Sequence, residues 1–123
     1  QVIIEQKFLI TSVIPVADPC FHWDDELSMQ ADNTSGFNYR TIACTNRLSN
    51  HADGRAIDIN PFRNPYIRKD LPHLKHGGYN VKVPGTIIKG DKIVSTFEEM
   101  GWIWGGNWED DRKDYQHFEK PTK

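Results

Sequence analysis

The stretch Arg55-Ala56-Ile57-Asp58-Ile59-Asn60, closed by Pro61, limits the architecture of this chain more than any other. Isoleucines alternate with small or polar residues, and a proline cannot extend a strand ladder, so the stretch reads as a strand ending at Asn60. Side chains along a strand point to opposite faces in turn. Ala56, Asp58 and Asn60 therefore share one face, and Ile57 and Ile59 the other. The isoleucines enter a core while Asp58 faces a cleft, and a carboxylate carried on a rigid strand is well placed for a metal site.

The rest of the chain alternates short helical and extended signals. Val2 to Lys7 reads as the end of a helix, and Phe8 to Val16 as a strand ended by Pro15. Asp24 to Gln30 puts acids before good helix formers and reads as a short helix. Asn33 to Gly36 is turn chemistry, Phe37 to Cys44 a strand, and Thr45 to Gly54 a polar loop. Residues 64–90 form a long irregular excursion containing Pro65, Pro72, Pro84, His73 and His76. Asp91 to Met100 is expected to be a helix capped by Asp91, with Ile93, Val94, Phe97 and Met100 on one face and Gly101 ending it. Trp102 to Trp104 and Gln116 to Glu119 are short strands. No βαβ rhythm is present, which favours α+β: a small single domain over residues 1–123, with a central antiparallel sheet flanked by short helices.

Composition excludes several function classes. The 15 basic residues are outnumbered by 17 acidic ones, so there is no general basic excess for a phosphate backbone, and nucleic acid is not an expected partner. Two cysteines, Cys20 and Cys44, are too few for a zinc–cysteine framework; they form one disulfide or sit as free buried thiols, with free thiols favoured. No apolar stretch reaches membrane-spanning length, and a first residue other than Met fits a processed or trimmed chain.

Two polar constellations carry chemistry. In Ser49-Asn50-His51-Ala52-Asp53-Gly54-Arg55-Ala56-Ile57-Asp58, Gly54 permits a tight turn that brings the His51 imidazole towards the Asp58 carboxylate, both good zinc ligands. In Asp114-Tyr115-Gln116-His117-Phe118-Glu119, one helical turn would put Asp114 and His117 on one side, with the acid placed as a general base. Each constellation alone is better explained as ordinary surface polarity. Together they supply two histidines and one aspartate, and three protein ligands leave a coordination position free, as catalytic zinc requires.

The combination resembles a known family. Ser49 to Asp58 fits the pattern S-x-H-x-x-G-x-A-x-D, and Asp114 to His117 fits the accompanying acid-x-x-H. Both are similar to the D-alanyl-D-alanine carboxypeptidases and L-alanyl-D-glutamate endopeptidases, whose fold is shared with the hedgehog signalling domain. The segments from Ala31 to Arg40, Asp58 to Pro61, Asn64 to Tyr66 and Trp104 to Trp108 extend the likeness across most of the chain. The resemblance implies a hedgehog/DD-peptidase-like fold and one zinc ion held by His51, Asp58 and His117. It further implies that Asp114 is the general base and that Arg40 steadies the scissile carbonyl. Ser49, Trp104 and Trp108 are expected to contact the substrate, a peptidoglycan stem peptide cut by a monomeric enzyme of the cell envelope or of phage lysis. Many relatives carry Glu where this chain has Asp114, one methylene longer. Terminal trimming of D-alanine and internal cleavage both stay open. The rival reading is a non-catalytic, hedgehog-like zinc module that binds a partner. Outside the pattern, His22, His73 and His76 are expected to play no part in catalysis, Glu119 is a lesser candidate for a site contact, and alternation would turn Tyr39 away from Arg40.

Overall fold

Asp24 accepts a hydrogen bond from the Leu27 N–H at 3.1 Å and so starts the helix Asp25–Gln30. Such capping satisfies a donor that the helix itself leaves orphaned. The computed structural model describes residues 1–42, 44–70 and 77–121. His73 and His76 lie outside them. In chain order the elements are α1 (Val2–Glu5), β1 (Ser12–Val13), α2 (Asp25–Gln30), β2 (Asn33–Thr34), β3 (Ala56–Asp58), β4 (Tyr66–Arg68), α3 (Lys92–Glu99), β5 (Ile103–Trp104), β6 (Arg112–Asp114) and β7 (His117–Glu119).

The architecture is α+β, and its strands are shorter than the sequence suggested. The central sheet is antiparallel in the order β3-β7-β5, and β4 and β6 form a separate antiparallel pair. The expected strand from Phe8 to Val16 is reduced to β1, which pairs with β2 in parallel. Among the described residues, the segment after Phe37 makes an isolated bridge between Thr41 and Leu48 instead of a strand. Cys20 and Cys44 are free thiols and exposed, not buried.

Ile59, Ile87, Ile93, Val94, Trp104 and Phe118 form the core, against which Ile57, Phe97, Trp102 and Tyr115 pack. Helix α3 presents Ile93, Val94 and Phe97 to this core, whereas Met100, expected on the same face, is exposed at the helix end. The Asp91 side chain does not cap the helix; its Oδ2 accepts from the Ile88 N–H in the preceding turn. Glycine 101, at φ 79°, ends α3 as expected.

Buried asparagines do the work that longer strands would otherwise do. Asn64 is fully buried; its Nδ2 donates to the carbonyls of Ile59, Asn60 and Gly85, and its Oδ1 accepts from the Ile87 N–H at 2.7 Å. Asn60 terminates the β3 segment at φ 45°, a left-handed conformation that Asn tolerates better than most residues. Its Nδ2 reaches the carbonyls of Leu9 and Gly85, and its Oδ1 takes the Thr11 N–H. Loop backbone that would be left unpaired in the interior is thereby satisfied, and the end of β3 is held in place.

Candidate metal centre

Asp58 and His117 come together through strand register. They are direct partners in the antiparallel β3–β7 ladder. The Asp58 N–H and C=O both bond across the other edge, to Ser35, at 2.8 and 2.9 Å. Towards β7 the Asp58–His117 pair is consequently the non-hydrogen-bonded kind, in which facing side chains approach most closely. His117 Nδ1 lies 2.8 Å from Asp58 Oδ1.

His51 arrives from a 3₁₀ turn, Asn50–Asp53, that precedes β3. Ser49 Oγ accepts from the His51 N–H at 3.3 Å at the start of the turn, and Gly54 closes it at φ 63°. The sequence requirement for glycine at this position is therefore met by an actual left-handed residue. His51 Nδ1 faces the Gly36 carbonyl at 2.6 Å, so this nitrogen carries the proton. Its Nε2 points inward, 3.2 Å from Asp58 Oδ2. That nitrogen is buried and makes no well-formed hydrogen bond.

His51, Asp58 and His117 are all buried, and each offers a ligand atom within 4.8 Å of the others. An orphaned imidazole nitrogen, a buried carboxylate and a second imidazole fit a divalent cation such as zinc, which takes both donor types. Without an ion the three groups compensate one another. Burial opposes ionisation of Asp58, yet His51 and His117 together hold its pKa far below the usual carboxylate range. Burial likewise opposes charging of His117, but its contacts with Asp58 and Glu119 raise its pKa well above the ordinary imidazole value. For His51, burial is again outweighed, here mainly by Asp58, and the pKa is raised.

Asp114 reaches this cluster from the other antiparallel pair, opposite Tyr66 on β4. Asp114 and His117 do not share a helix, as their spacing suggested; they occupy consecutive strands, β6 and β7, of two different sheets. Asp114 Oδ1 is closed off from solvent and has no hydrogen-bond partner. Burial pushes the Asp114 carboxyl up to about 7, with His117 acting in the opposite direction. Gly105 explains the approach. A Cβ there would stand 2.6 Å from the Asp114 carbonyl oxygen and 2.8 Å from its Cβ. Gly105→Ala is expected to displace Asp114, lowering turnover while leaving zinc content unchanged; parallel kinetics and metal analysis check it.

Arg40 sits beside the same loop, its carbonyl accepting from the Ser49 N–H at 2.9 Å. Its Nε pairs with Asp25 Oδ2 at 2.7 Å. With Trp23, Asn38 and Tyr39 it lines a groove of about 350 Å³. Trp23, Phe37 and Tyr39 are all exposed there. Trp108 stands at the metal cluster, its ring 5.8 Å from that of His117, with the Arg112 guanidinium over it. Trp104 is a correction to the sequence reading. It is 1% exposed and donates Nε1–H to the Tyr115 carbonyl, so it is core and cannot contact substrate. His22 is exposed in a turn, away from the core.

The family model for D-alanyl-D-alanine carboxypeptidase matches residues 43–120, more than half of the chain and all four of His51, Asp58, Asp114 and His117. The chain belongs to the D-alanyl-D-alanine carboxypeptidase family. No curated protein and no solved structure matches it. Members of this family are zinc peptidases, and the His-Asp-His cluster is a group that can hold such an ion. No described helix is long and apolar enough to cross a membrane.

For this family member, the partners of the two histidines were not legible in the sequence. The Gly36 carbonyl carries no residue-type signal. Glu119, weighed as a lesser candidate, accepts from Asn50 Nδ2 at 2.6 Å and lies 3.1 Å from His117 Nε2. Strand alternation was its one available signal, because residues 117 and 119 share a face of β7.

Proposed function

We propose that this chain is a zinc-dependent peptidase that hydrolyses peptide bonds in the stem peptides of bacterial peptidoglycan, with a hedgehog/DD-peptidase-like fold and a place of action in the cell envelope. The observation that carries the proposal is the buried trio His51, Asp58 and His117 converging on one point, with Asp114, whose Oδ1 is shielded from solvent and unpartnered, near enough to feel the charges of all three.

His51 Nε2, the Asp58 carboxylate and His117 Nδ1 would hold the ion. A zinc ion bound there supplies Lewis acidity and brings the pKa of water from about 15.7 towards 7. Asp114 has a lone pair uncommitted to the protein, so it accepts the proton of the attacking water and later delivers it to the leaving amine. Arg40, steered by Asp25, opposes the negative charge that gathers on the scissile carbonyl oxygen. The Trp23–Tyr39 groove and Trp108 would flank the peptide. Ser49, whose hydroxyl oxygen serves the His51 N–H, retains a hydroxyl proton for a substrate carbonyl.

Two arginines that could have read a substrate carboxylate are occupied. Arg55 donates to the Lys120 carbonyl, and Arg63 pairs with Asp32 at 2.7 Å. A third candidate, Arg47, is exposed, so trimming of a terminal residue and cleavage within the stem both stay open. Digestion of purified cell wall, with fragments identified by mass, tests the reading: internal stem cuts abolished by a chelator and restored by zinc support it. Release of D-alanine alone would identify a carboxypeptidase. Chelator-insensitive cleavage would refute the zinc mechanism, and no cleavage at all would favour the binding-module alternative.

A further inference from the structure

We propose that Glu119, clamped by Asn50, is a positioning residue that fixes which nitrogen of His117 faces the metal; the proposal rests on the ligand assignment above. One oxygen, Glu119 Oε2, takes both contacts: Asn50 Nδ2 at 2.6 Å and His117 Nε2 at 3.1 Å. Without an ion both ring nitrogens of His117 face carboxylates, Nδ1 facing Asp58 and Nε2 facing Glu119, and a carboxylate only accepts, so each nitrogen carries a proton. Asp58 belongs to the ligand group and Glu119 does not, so the Nδ1 proton is the one that ion binding would displace, with Glu119 keeping Nε2–H and Nδ1 left as the ligating atom. The ring is thus held from both ends, by Asp58 in the adjacent strand and by Glu119 two residues along its own.

Asn50 gives the arrangement its rigidity. It opens the same 3₁₀ turn that carries His51, and its carbonyl accepts from the Arg55 N–H at 2.9 Å. Its side chain spans to β7 over 69 positions of sequence. The Asn50–Glu119 bond therefore ties the turn bearing the first histidine to the strand bearing the second. His51 receives equivalent treatment from the Gly36 carbonyl, which fixes its Nδ1–H and leaves Nε2 for the ion. Partners of this kind orient a ligand ring and select its tautomer, and losing one typically weakens metal binding by about 10- to 100-fold.

The proposal is tested by zinc affinity, measured by chelator competition, in wild type, Glu119→Ala, Glu119→Gln and Asn50→Ala. Glu119→Ala is expected to bind zinc about 10- to 100-fold more weakly. Glu119→Gln retains a carbonyl oxygen able to accept from both partners and is expected to stay close to wild type, a rescue that mere loss of charge would not permit. Asn50→Ala is expected to shift affinity in the same direction by a smaller factor, and being on a turn it tests the clamp independently of β7. Ring ¹⁵N shifts of zinc-loaded protein should show His117 metallated at Nδ1 and protonated at Nε2 in wild type, with that state lost in Glu119→Ala. A folded Glu119→Ala protein with wild-type affinity and an unchanged His117 signature would overturn the positioning role alone. A wild type that takes up no zinc would instead overturn the ligand assignment, and this proposal with it.

Discussion

Asp114→Asn is expected to keep a full complement of zinc and lose about 10²- to 10⁴-fold in turnover, the range a positioned acid–base group contributes. The two halves of this result are separable because Asp114 lies outside the trio whose ligand atoms converge. Its Oδ1 is buried without a partner, an expensive arrangement for a carboxylate with no other task. Its environment also raises its pKa to about 7, mainly through burial, and a base is most effective when its pKa is near the working pH. Asparagine preserves the shape against Gly105 but cannot take a proton. Turnover near wild type would remove Asp114 from the mechanism, whereas loss of zinc would make it part of the metal site.

His117→Ala is expected to fail differently. It removes one of three ligands, so zinc affinity should fall further than the about 10- to 100-fold seen when an outer partner is lost, and activity should disappear with the metal. It also strips Asp58 of one of its two imidazole partners while leaving that carboxylate buried. Breaking a buried pair in this way costs about 3–5 kcal/mol, so the zinc-free variant should also unfold at lower denaturant than zinc-free wild type. Metal analysis after dialysis and a denaturant titration measure the two effects. Undiminished zinc would take His117 out of the ligand set.

What the sequence revealed and what it hid divide along physical lines. His51, Gly54 and Asp58 were legible because they lie within one short loop-and-strand unit, where spacing and a left-handed glycine determine geometry locally. The pairing of Asp58 with His117 depends on a ladder between residues 59 positions apart, which no local pattern encodes. Asp114 and His117 invited a helical reading because a separation of three suits one turn, but the chain passes there from one sheet into another. Trp104 looked like a cleft wall beside Trp108; tertiary packing put one in the core and the other by the site. Asn60, at the end of the expected strand, and Asn64, at the start of the long excursion, gave no local sign of holding the loops, because their worth lies in distant backbone partners.

Diffraction from zinc-loaded crystals on either side of the zinc absorption edge tests the account most directly. One anomalous peak bonded to His51 Nε2, the Asp58 carboxylate and His117 Nδ1, with Asp114 close by but not ligating, is the predicted result. A peak elsewhere on the chain, or those three side chains turned away from one another in the presence of ample zinc, would contradict it.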